Sequence, residues 1–420
     1  MSNLVLQVDK LVFGGQGLGR INQQVVFAWN ALPGEQVMVD VLKKKRSFYE
    51  GVATTINQPS PHRLVPLEEH FLSCSPWQII SFDQENYWKQ RIALATYSTI
   101  GQINWTDAIP IASDDRTTGY RNKMEFSFYE LDNGTIALAF FGRGQHRRYP
   151  IQQCVLADPV IQQAANRLLA WINKQHYTRL QLKSTIIRST LTGAVMVGLF
   201  VRERITWTDV PELPLAVYYS DPRSPAALPT ELLYSNTNQT LLEIVQDYQL
   251  RYGLHSFFQV NLPLFQRVLV DIQPWLDRSL PVIDFYAGVG AISIPLAQHY
   301  AAAVLVESNT EAVQFAQQNI TINQLHHCQV QLSAAEHSTD VITKEQIIII
   351  DPPRAGLHDT VIKALLKNQP RRIIYLSCNI STQARDIQLL ATHYRLQDIK
   401  LYNFFPRTPH IEGLCILDHF

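Results

Sequence analysis

Four apolar runs in the second half of the chain end abruptly in polar residues. They are PVIDFYAG, AAVLVESN, QIIIIDPP and RRIIYLSC, between residues 281 and 378, and helical patterns lie between most of them. Strands that form continuous apolar runs are buried on both faces, as in an open parallel sheet with helices on each side. The sequence therefore predicts an α/β Rossmann-like domain, whose ligands would bind beyond the carboxyl ends of these strands.

The first 58 residues follow a different pattern. Apolar and polar residues alternate in short stretches, which break at Gly14-Gly15, Gly17 and Pro33-Gly34. Short strands at close spacing predict a small closed β-barrel of the OB-like type, which often binds nucleic acid. The basic run Lys43-Lys44-Lys45-Arg46 fits that use, although spacing alone leaves a purely structural barrel open.

The remaining residues divide between two domains. We assign 59–83 and 118–238 to a central α+β domain, since this region contains a hairpin signal at Asn133-Gly134, a helical stretch at 157–175 and strands at 181–202. Residues 84–100 have helical periodicity, and we assign 84–117 together with 239–420 to the Rossmann-like domain.

Composition excludes several classes of protein. The longest apolar run is shorter than the roughly 20 residues that span a bilayer, and the N-terminus does not read as a signal peptide. Five scattered cysteines do not indicate a disulfide framework, so we expect a cytoplasmic protein, and we expect a monomer. The 36 basic and 36 acidic residues balance, which argues against non-specific coating of nucleic acid.

Two adjacent strand ends predict a nucleoside site. Asp284 closes one strand and is followed by the turn Gly288-x-Gly290, after which a helix is expected. Glu307 ends the next strand, where a carboxylate can accept hydrogen bonds from both ribose hydroxyls. A nicotinamide dinucleotide and S-adenosylmethionine both satisfy this pattern. The third glycine of a dinucleotide fingerprint is absent, with Ile294 near its place, so S-adenosylmethionine is favoured.

The third strand ends in Asp351-Pro352-Pro353-Arg354. Two prolines stop the strand and stiffen the loop, which would fix a carboxylate and a guanidinium beside the nucleoside. Enzymes that methylate exocyclic amines carry an aromatic residue after similar prolines. Arg354 therefore argues against amine methylation.

Cys378 ends the fourth strand and precedes a predicted helix. A lone cysteine there is usually a packing residue, but a helix N-terminus favours the thiolate. Beside a methyl donor, a thiolate can add to carbon 6 of a pyrimidine and make carbon 5 nucleophilic. A base must later remove the carbon 5 proton. Glu412 is a candidate, although spacing alone favours an ordinary turn carboxylate.

Five motifs in order resemble those of the RNA uridine-C5 methyltransferases of the 23S ribosomal RNA and tRNA uridine-54 group. They are FFQVN at 257–261, DFYAGVG, DPPRAGL, SCN and HIEG. In addition, GGQGLGR and ALPGE resemble that family's TRAM domain, an OB-like RNA-binding barrel. GYRNKMEFSF resembles a sequence of its central RNA-contacting domain. The resemblance extends over nearly the whole chain.

The resemblance implies Cys378 as nucleophile and Glu412 as general base. For S-adenosylmethionine it implies contacts from Gln259, Tyr286, Gly288, Glu307 and Asp351. For RNA it implies contacts from Arg121, Lys123 and Arg354. The expected reaction is C5-methylation of a uridine, with 23S ribosomal RNA favoured over tRNA uridine 54.

Two alternatives stay open. One is an RNA-binding protein with a vestigial catalytic domain, which the intact candidate residues disfavour. The other is cytosine-C5 methylation, whose RNA enzymes usually carry a second cysteine in the loop that here reads Asp351-Pro352-Pro353-Arg354.

The chain departs from the family pattern at two places. Many members bind a [4Fe–4S] cluster through C-x5-C-x2-C and one distant cysteine. This chain keeps Cys74 and Cys154 but has Glu68 and Trp77 at the other positions, so we predict that it binds no cluster. In addition, Ala291 follows the G-x-G turn where some members have Asn, which would remove one cofactor contact.

Overall fold

The computed structural model describes residues 3–143, 147–207, 209–224 and 228–420. Residues 1–2, 144–146, 208 and 225–227 lie outside the described residues, and all but the first two belong to the predicted central domain.

The N-terminal region forms one six-stranded sheet. Its strands are β1 (Asn3–Gln7), β2 (Lys10–Leu11), β3 (Gly17–Ile21), β4 (Gln24–Trp29), β5 (Gln36–Lys44) and β6 (Phe48–Gln58). The order is β1-β5-β6-β4-β3-β2, so β1 and β2, which follow each other in the chain, lie at opposite edges of the sheet. The sheet therefore curls until its ends meet, where the Val8 and Asp9 amides donate to the carbonyls of Glu35 and Leu18. Its assignment as an OB-like TRAM barrel stays a prediction.

The segment that follows contributes three elements, α1 (Phe71–Cys74), α2 (Phe82–Gly101) and β7 (Ile111–Ala112). The helix predicted over 84–100 is thus present, and it ends at Gln102, whose backbone is left-handed with φ 52°.

The central sheet has seven strands, and one helix packs on it. The elements are β8 (Lys123–Glu130), β9 (Ile136–Phe141), β10 (Arg148–Ile151), α3 (Pro159–Lys174), β11 (Leu182–Ser189), β12 (Val195–Val201), β13 (Leu215–Tyr219) and β14 (Glu231–Ser235). Strand order is β10-β9-β8-β11-β12-β13-β14. The predicted hairpin at Asn133-Gly134 joins β8 to β9, and Gly134 has the positive φ of 77° that such a turn needs.

A two-stranded hairpin and a helix lead into the C-terminal sheet. They are β15 (Thr240–Val245), β16 (Tyr248–Gly253) and α4 (Leu262–Ile272). The next elements are β17 (Val282–Phe285), β18 (Ala303–Glu307), α5 (Thr310–Ile322), β19 (Cys328–Leu332), β20 (Ile347–Ile350), α6 (Asp359–Asn368), β21 (Arg372–Ser377), α7 (Ile380–Leu390), β22 (Tyr394–Tyr402) and β23 (Glu412–His419).

The C-terminal sheet has the order β19-β18-β17-β20-β21-β23-β22-β7. The first five strands are parallel, and β23 runs antiparallel to both of its neighbours. Separate hydrophobic clusters cover its two faces, and α2 packs with α6 and α7 on one of them. The predicted Rossmann-like domain is confirmed, and 84–117 contributes both a helix and an edge strand to it.

The helix expected after the glycine turn is present as a short 3₁₀ helix, Ile294–His299. Pro295 lies in its first turn, where proline is tolerated. Among the described residues, every helix is too short or too polar to cross a lipid bilayer.

Candidate active site

The carboxyl ends of the central parallel strands lie at one edge of the sheet. In register, Phe285 of β17 pairs with Ile350 of β20, which pairs with Tyr375 of β21. The polar residues that follow these strands are therefore brought together, as the sequence predicted.

The glycine turn after β17 is held by a carboxylate from β18. The Gly288 amide donates a hydrogen bond of 3.0 Å to Glu307 Oε2, and the Asn309 amide donates one of 2.7 Å to Glu307 Oε1. Gly288 has φ 57°, and a Cβ added there would meet no atom within 4 Å. The space above this turn is therefore open to a ligand, and glycine supplies the backbone conformation at no steric cost.

A cavity of about 380 Å³ opens beside this turn, a size within the range of small-ligand sites. Tyr286 and Glu307 line it, together with Ser333–Glu336, which the sequence analysis did not single out, and Ala355–Asp359, which begins within the DPPRAGL motif. The first of these segments follows β19, whose sequence CQVQL lacks the continuous apolar character of the other buried strands. A search for polar residues after every predicted strand, and not only after the continuous apolar runs, would have found this segment.

Two carboxyl groups lie near the cavity, Asp284, which is buried, and Asp351, which is half-buried. Burial raises the pKa of Asp284 to about 7, and the charge of Glu307 acts in the same direction. Burial also raises the pKa of Asp351 to about 7, with a smaller contribution from Asp284. Both are therefore ready to exchange a proton near neutral pH.

Cys378 and Glu412 meet across two antiparallel strands. Ser377 of β21 pairs with Gly413 of β23, so the residues just beyond this pair, Cys378 and Glu412, face each other. Glu412 is 5% exposed, and burial raises its pKa to about 8, with Asp351 adding to the effect. The strand register therefore places the two predicted catalytic residues next to each other.

The helix N-terminus does not decide the ionisation of Cys378. Burial raises the pKa of the thiol, and the charges of Glu412 and Asp351 raise it further. Only Arg354 acts in the opposite direction, through its charge and a hydrogen bond. Burial and the two carboxyl groups thus act against the thiolate, which the helix N-terminus was expected to favour.

The loop after β20 is fastened to the strand end that carries Cys378. Asn379 caps α7 by accepting from the Ser381 amide, and its side-chain amide donates a hydrogen bond of 2.8 Å to the Arg354 carbonyl. Thr382 Oγ1 donates to the same carbonyl at 3.3 Å. The loop, which the two prolines were expected to stiffen, is thus also held in place by Asn379.

Glu412 is preceded by a loop that a buried ion pair holds in place. Lys89 of α2 is fully buried, and its Nζ lies 2.8 Å from Glu85 Oε1 and 2.5 Å from Asn403 Oδ1. Glu85 Oε2 accepts from the Arg407 amide at 2.9 Å. This network could not be predicted locally, because Asn403 and Arg407 lie more than 300 residues from the helix residues that they contact.

The same loop meets the N-terminal sheet and the central domain. A Cβ added to Gly15 would lie 2.3 Å from Pro409 Cβ, so the turn after β2 is in close contact with this loop. The Arg121 guanidinium lies 5.8 Å from the centre of the Phe405 ring. His410, the first residue of the HIEG motif, had no role assigned from the sequence. It packs against Phe405, and partial removal from water together with the charges of Arg354 and Arg121 lowers its pKa to about 4.

The remaining predicted residues lie where the central sheet joins the C-terminal domain. The Asn122 side chain donates a hydrogen bond of 3.0 Å to the Gln259 carbonyl, and Gln259 is buried. Burial lowers the pKa of Lys123 to about 8, with a contribution from the buried guanidinium of Arg188. Arg188 in turn donates to the carbonyls of Gly253 and Ser256. Arg121 and Lys123 thus flank an anchor between domains.

The four positions at which relatives were expected to bind an iron–sulfur cluster do not supply four thiolates. Cys74 and Cys154 lie close to Glu68, but Trp77 is buried apart from them and donates its indole N–H to the Gly15 carbonyl at 3.0 Å. The residues present do not fit a cluster that needs four cysteines.

Comparisons with known proteins show which proteins this chain resembles. Residues 232–419 match the family of tRNA (Uracil-5-)-methyltransferases. The chain is 29% identical to the 23S rRNA (uracil(1939)-C(5))-methyltransferase RlmD of Marinomonas sp. (strain MWYL1), over 98% of this chain and 94% of that protein. It is 27% identical to an RNA methyltransferase of Bacteroides thetaiotaomicron, over 96% of this chain and 99% of that protein.

A solved structure has the same fold over the full length. The tRNA (uracil-54, C5)-methyltransferase of Pyrococcus abyssi, in complex with S-adenosyl-L-homocysteine, matches with a TM-score of 0.80 and 22% identity. The match covers 99% of this chain and all of that one. The chain therefore has the fold of that enzyme.

Proposed function

We propose that this chain, which matches the family of tRNA (Uracil-5-)-methyltransferases over residues 232–419, methylates carbon 5 of a uridine in 23S ribosomal RNA with S-adenosylmethionine as methyl donor. The observation that carries the reaction type is the pairing of Ser377 with Gly413, which sets a thiol opposite a buried carboxyl group. Uracil C5 chemistry requires such a pair, one group to add to carbon 6 and one to remove the carbon 5 proton.

The cofactor site is the cavity beside the glycine turn. Glu307 would accept hydrogen bonds from the ribose hydroxyls, since its carboxylate already lies at the turn and at the start of α5. Gly288 leaves room for the nucleoside, and Tyr286 lines the same cavity. Gln259 and Asp351 are assigned by the family resemblance, and the high pKa of Asp351 suits a group that donates a hydrogen bond near neutral pH.

S-adenosylmethionine, when bound, supplies the methyl group as an electrophile. Cys378 would first lose its thiol proton to solvent and then add its sulfur to carbon 6 of the uracil, which makes carbon 5 the nucleophilic end of an enolate. After the methyl group has reached carbon 5, Glu412 would take the proton from that carbon. The bond between Sγ and carbon 6 then breaks, so that the thiolate leaves and the ring regains its double bond.

Burial sets the protonation states of Cys378 and Glu412. In the free protein the pKa of Cys378 is raised and that of Glu412 is about 8, so both hold protons near neutral pH. Arg354, which favours the thiolate, lies on the loop that Asn379 fixes beside Cys378. Glu412 must be ionised to act in the last step, and a pKa near the working pH lets it both release and accept a proton.

RNA would approach the active site past three basic residues from different parts of the chain. Arg121 lies against Phe405, Lys123 flanks the joint between domains, and Arg354 is exposed above Cys378. Contacts of this kind bind phosphates, and the target uridine must be turned out of its stack to reach the thiol. The N-terminal sheet, proposed as a TRAM barrel, contacts the same loop at Pro409 and would bind a further stretch of RNA.

The preference for 23S ribosomal RNA rests on the full-length likeness to a 23S enzyme and on the proposed TRAM barrel. The runner-up is tRNA uridine 54. The test is methyl transfer from labelled S-adenosylmethionine to transcripts of 23S fragments and of tRNA, followed by mass mapping of the modified nucleoside. We expect 5-methyluridine in 23S RNA. Exclusive labelling of tRNA would redirect the substrate assignment, and labelled 5-methylcytidine would overturn the reaction.

A further inference from the structure

Four side chains with metal-binding atoms converge at a place that the methyltransferase mechanism does not use. We call Glu68, His70, Cys74 and Cys154 the Cys74–Cys154 cluster, and one ligand atom from each lies within 4.8 Å of every other. Glu68 and Cys154 are buried, and His70 Nε2 is shielded from solvent at 3.3 Å from Glu68 Oε2. Two thiols, an imidazole and a carboxylate thus share one small, enclosed space.

From this arrangement we propose that the Cys74–Cys154 cluster binds a single Zn²⁺ ion. Zinc takes four ligands in a tetrahedron, at about 2.3 Å to sulfur and about 2.0–2.2 Å to nitrogen or oxygen, which sets the ligand atoms about 3.3–3.8 Å apart. A spread of at most 4.8 Å needs only a small contraction of the side chains to reach that geometry. Mixed sulfur, nitrogen and oxygen ligands favour zinc over magnesium or calcium.

The surroundings support a charged site. Glu68 is oriented by the Val155 amide, which donates to its Oε1 at 2.7 Å, and by the Gln78 side chain, which donates to its Oε2 at 3.3 Å. Such second partners fix metal ligands in position. Two thiolates, one carboxylate and Zn²⁺ sum to one negative charge, and the guanidinium groups of Arg121 and Arg143 both interact with Cys74.

The site also has an entrance. Glu68 and His70 line a cavity of about 870 Å³ between the N-terminal sheet and the central sheet, which Thr54 lines on one side and Arg143 on the other. An ion can therefore reach the two ligands at the rim before the buried Cys154 closes the coordination shell.

Zinc here would fasten two distant segments of the chain. Glu68 to Cys74 lie at α1, whereas Cys154 lies in the loop between β10 and α3. That loop continues to Leu156, whose carbonyl accepts from the Arg121 amide at 2.9 Å. The ion would thus stabilise the base of the segment that presents Arg121, while methyl transfer itself proceeds elsewhere.

The test is metal analysis of the full chain, purified with a thiol reductant and without chelator. We expect one zinc ion per chain. After removal of zinc, titration with Co²⁺ should give the visible bands of a tetrahedral ion and thiolate-to-cobalt charge transfer. Cys74→Ser, Cys154→Ser and His70→Ala should each lose tight binding, whereas Cys328→Ser, a buried cysteine outside the cluster, should keep it. Removing zinc should lower the thermal midpoint of the wild type but not that of His70→Ala.

His70, whose side chain is 12% exposed, keeps the test informative if a variant of the buried Cys154 does not fold. Three outcomes overturn the proposal: protein with neither zinc nor a cobalt spectrum, iron with acid-labile sulfide at the cluster, or a Cys74–Cys154 disulfide in reduced preparations. None of these readouts depends on methyl transfer, so the proposed function stands or falls separately.

Discussion

Ser377 pairs with Gly413 between the antiparallel strands β21 and β23, and this register sets the Cys378 thiol opposite the Glu412 carboxyl group. The pairing arises because β23 is inserted antiparallel between β21 and β22. Residues 34 positions apart thereby become neighbours at the mouth of the sheet. The proposed division of labour, with sulfur as nucleophile and carboxylate as base, follows from that juxtaposition.

Glu412→Gln should stop the reaction after methyl transfer. The amide cannot take the carbon 5 proton, so the RNA should stay bonded to Cys378 and turnover should fall by at least about 100-fold. The covalent complex is measured by denaturing gel with labelled RNA. Glu243→Gln is a matched control, because Glu243 is also buried with a raised pKa but lies on the β15–β16 hairpin. Normal turnover by Glu412→Gln would exclude Glu412 as the base.

The same substitution should change how stability depends on pH. Folding raises the pKa of Glu412 to about 8, above its ordinary value in the unfolded chain. The unfolded chain therefore ionises first, and the wild type loses stability from this group as pH rises from about 4.5 to about 8. Glu412→Gln should match the wild type near pH 5 and be more stable at pH 8 by a few kcal/mol, on the order of 1.4 kcal/mol per pKa unit.

Denaturant titrations of both proteins at several pH values measure this difference. Asp284 titrates in a similar window in both proteins, so the difference between the two curves reports Glu412 together with its interaction with Asp351. Parallel curves over the whole range would contradict a buried carboxyl group with a raised pKa.

Glu307→Gln should weaken cofactor binding. The substitution removes the charge that would strengthen two hydrogen bonds to the ribose, which corresponds to a rise in Kd of about 10- to 100-fold. Calorimetric titration with S-adenosyl-L-homocysteine gives the value directly. Glu345→Gln, at an exposed position outside the cavity, should leave it unchanged. Equal affinities for the wild type and Glu307→Gln would move the ribose away from Glu307.

Lys89→Met should destabilise the loop that precedes Glu412. The change leaves Glu85 buried without its cation, which typically costs about 3–5 kcal/mol. The double variant Glu85→Gln/Lys89→Met removes the stranded charge and should recover much of that loss. Chemical unfolding of the three proteins tests this, and a single variant as stable as the wild type would show that the ion pair does not hold the loop.

Much of this site could be predicted from local sequence. Ile347–Ile350 form a buried strand because four consecutive isoleucines suit a position covered on both faces, and Asp351 then marks its end. The glycine turn and Glu307 could be predicted for the same reason, since strand ends and tight turns depend on neighbouring residues.

What could not be predicted depends on contacts between distant residues. The Lys89–Glu85–Asn403 network joins α2 to a loop more than 300 residues away, and the burial that raises the pKa of Cys378 exists only in the folded chain. The helix dipole, a local effect, predicted the opposite shift. Ser333–Glu336 escaped notice because β19 is too polar to stand out.

The most direct test of the account is covalent capture of RNA. The protein is incubated with S-adenosylmethionine and a 23S RNA fragment that carries 5-fluorouridine, whose fluorine replaces the proton that Glu412 must remove. We expect a stable protein–RNA adduct with the wild type, linked through Cys378, and none with Cys378→Ala, whereas Cys415→Ala should still form it. An undiminished adduct with Cys378→Ala would contradict the central claim.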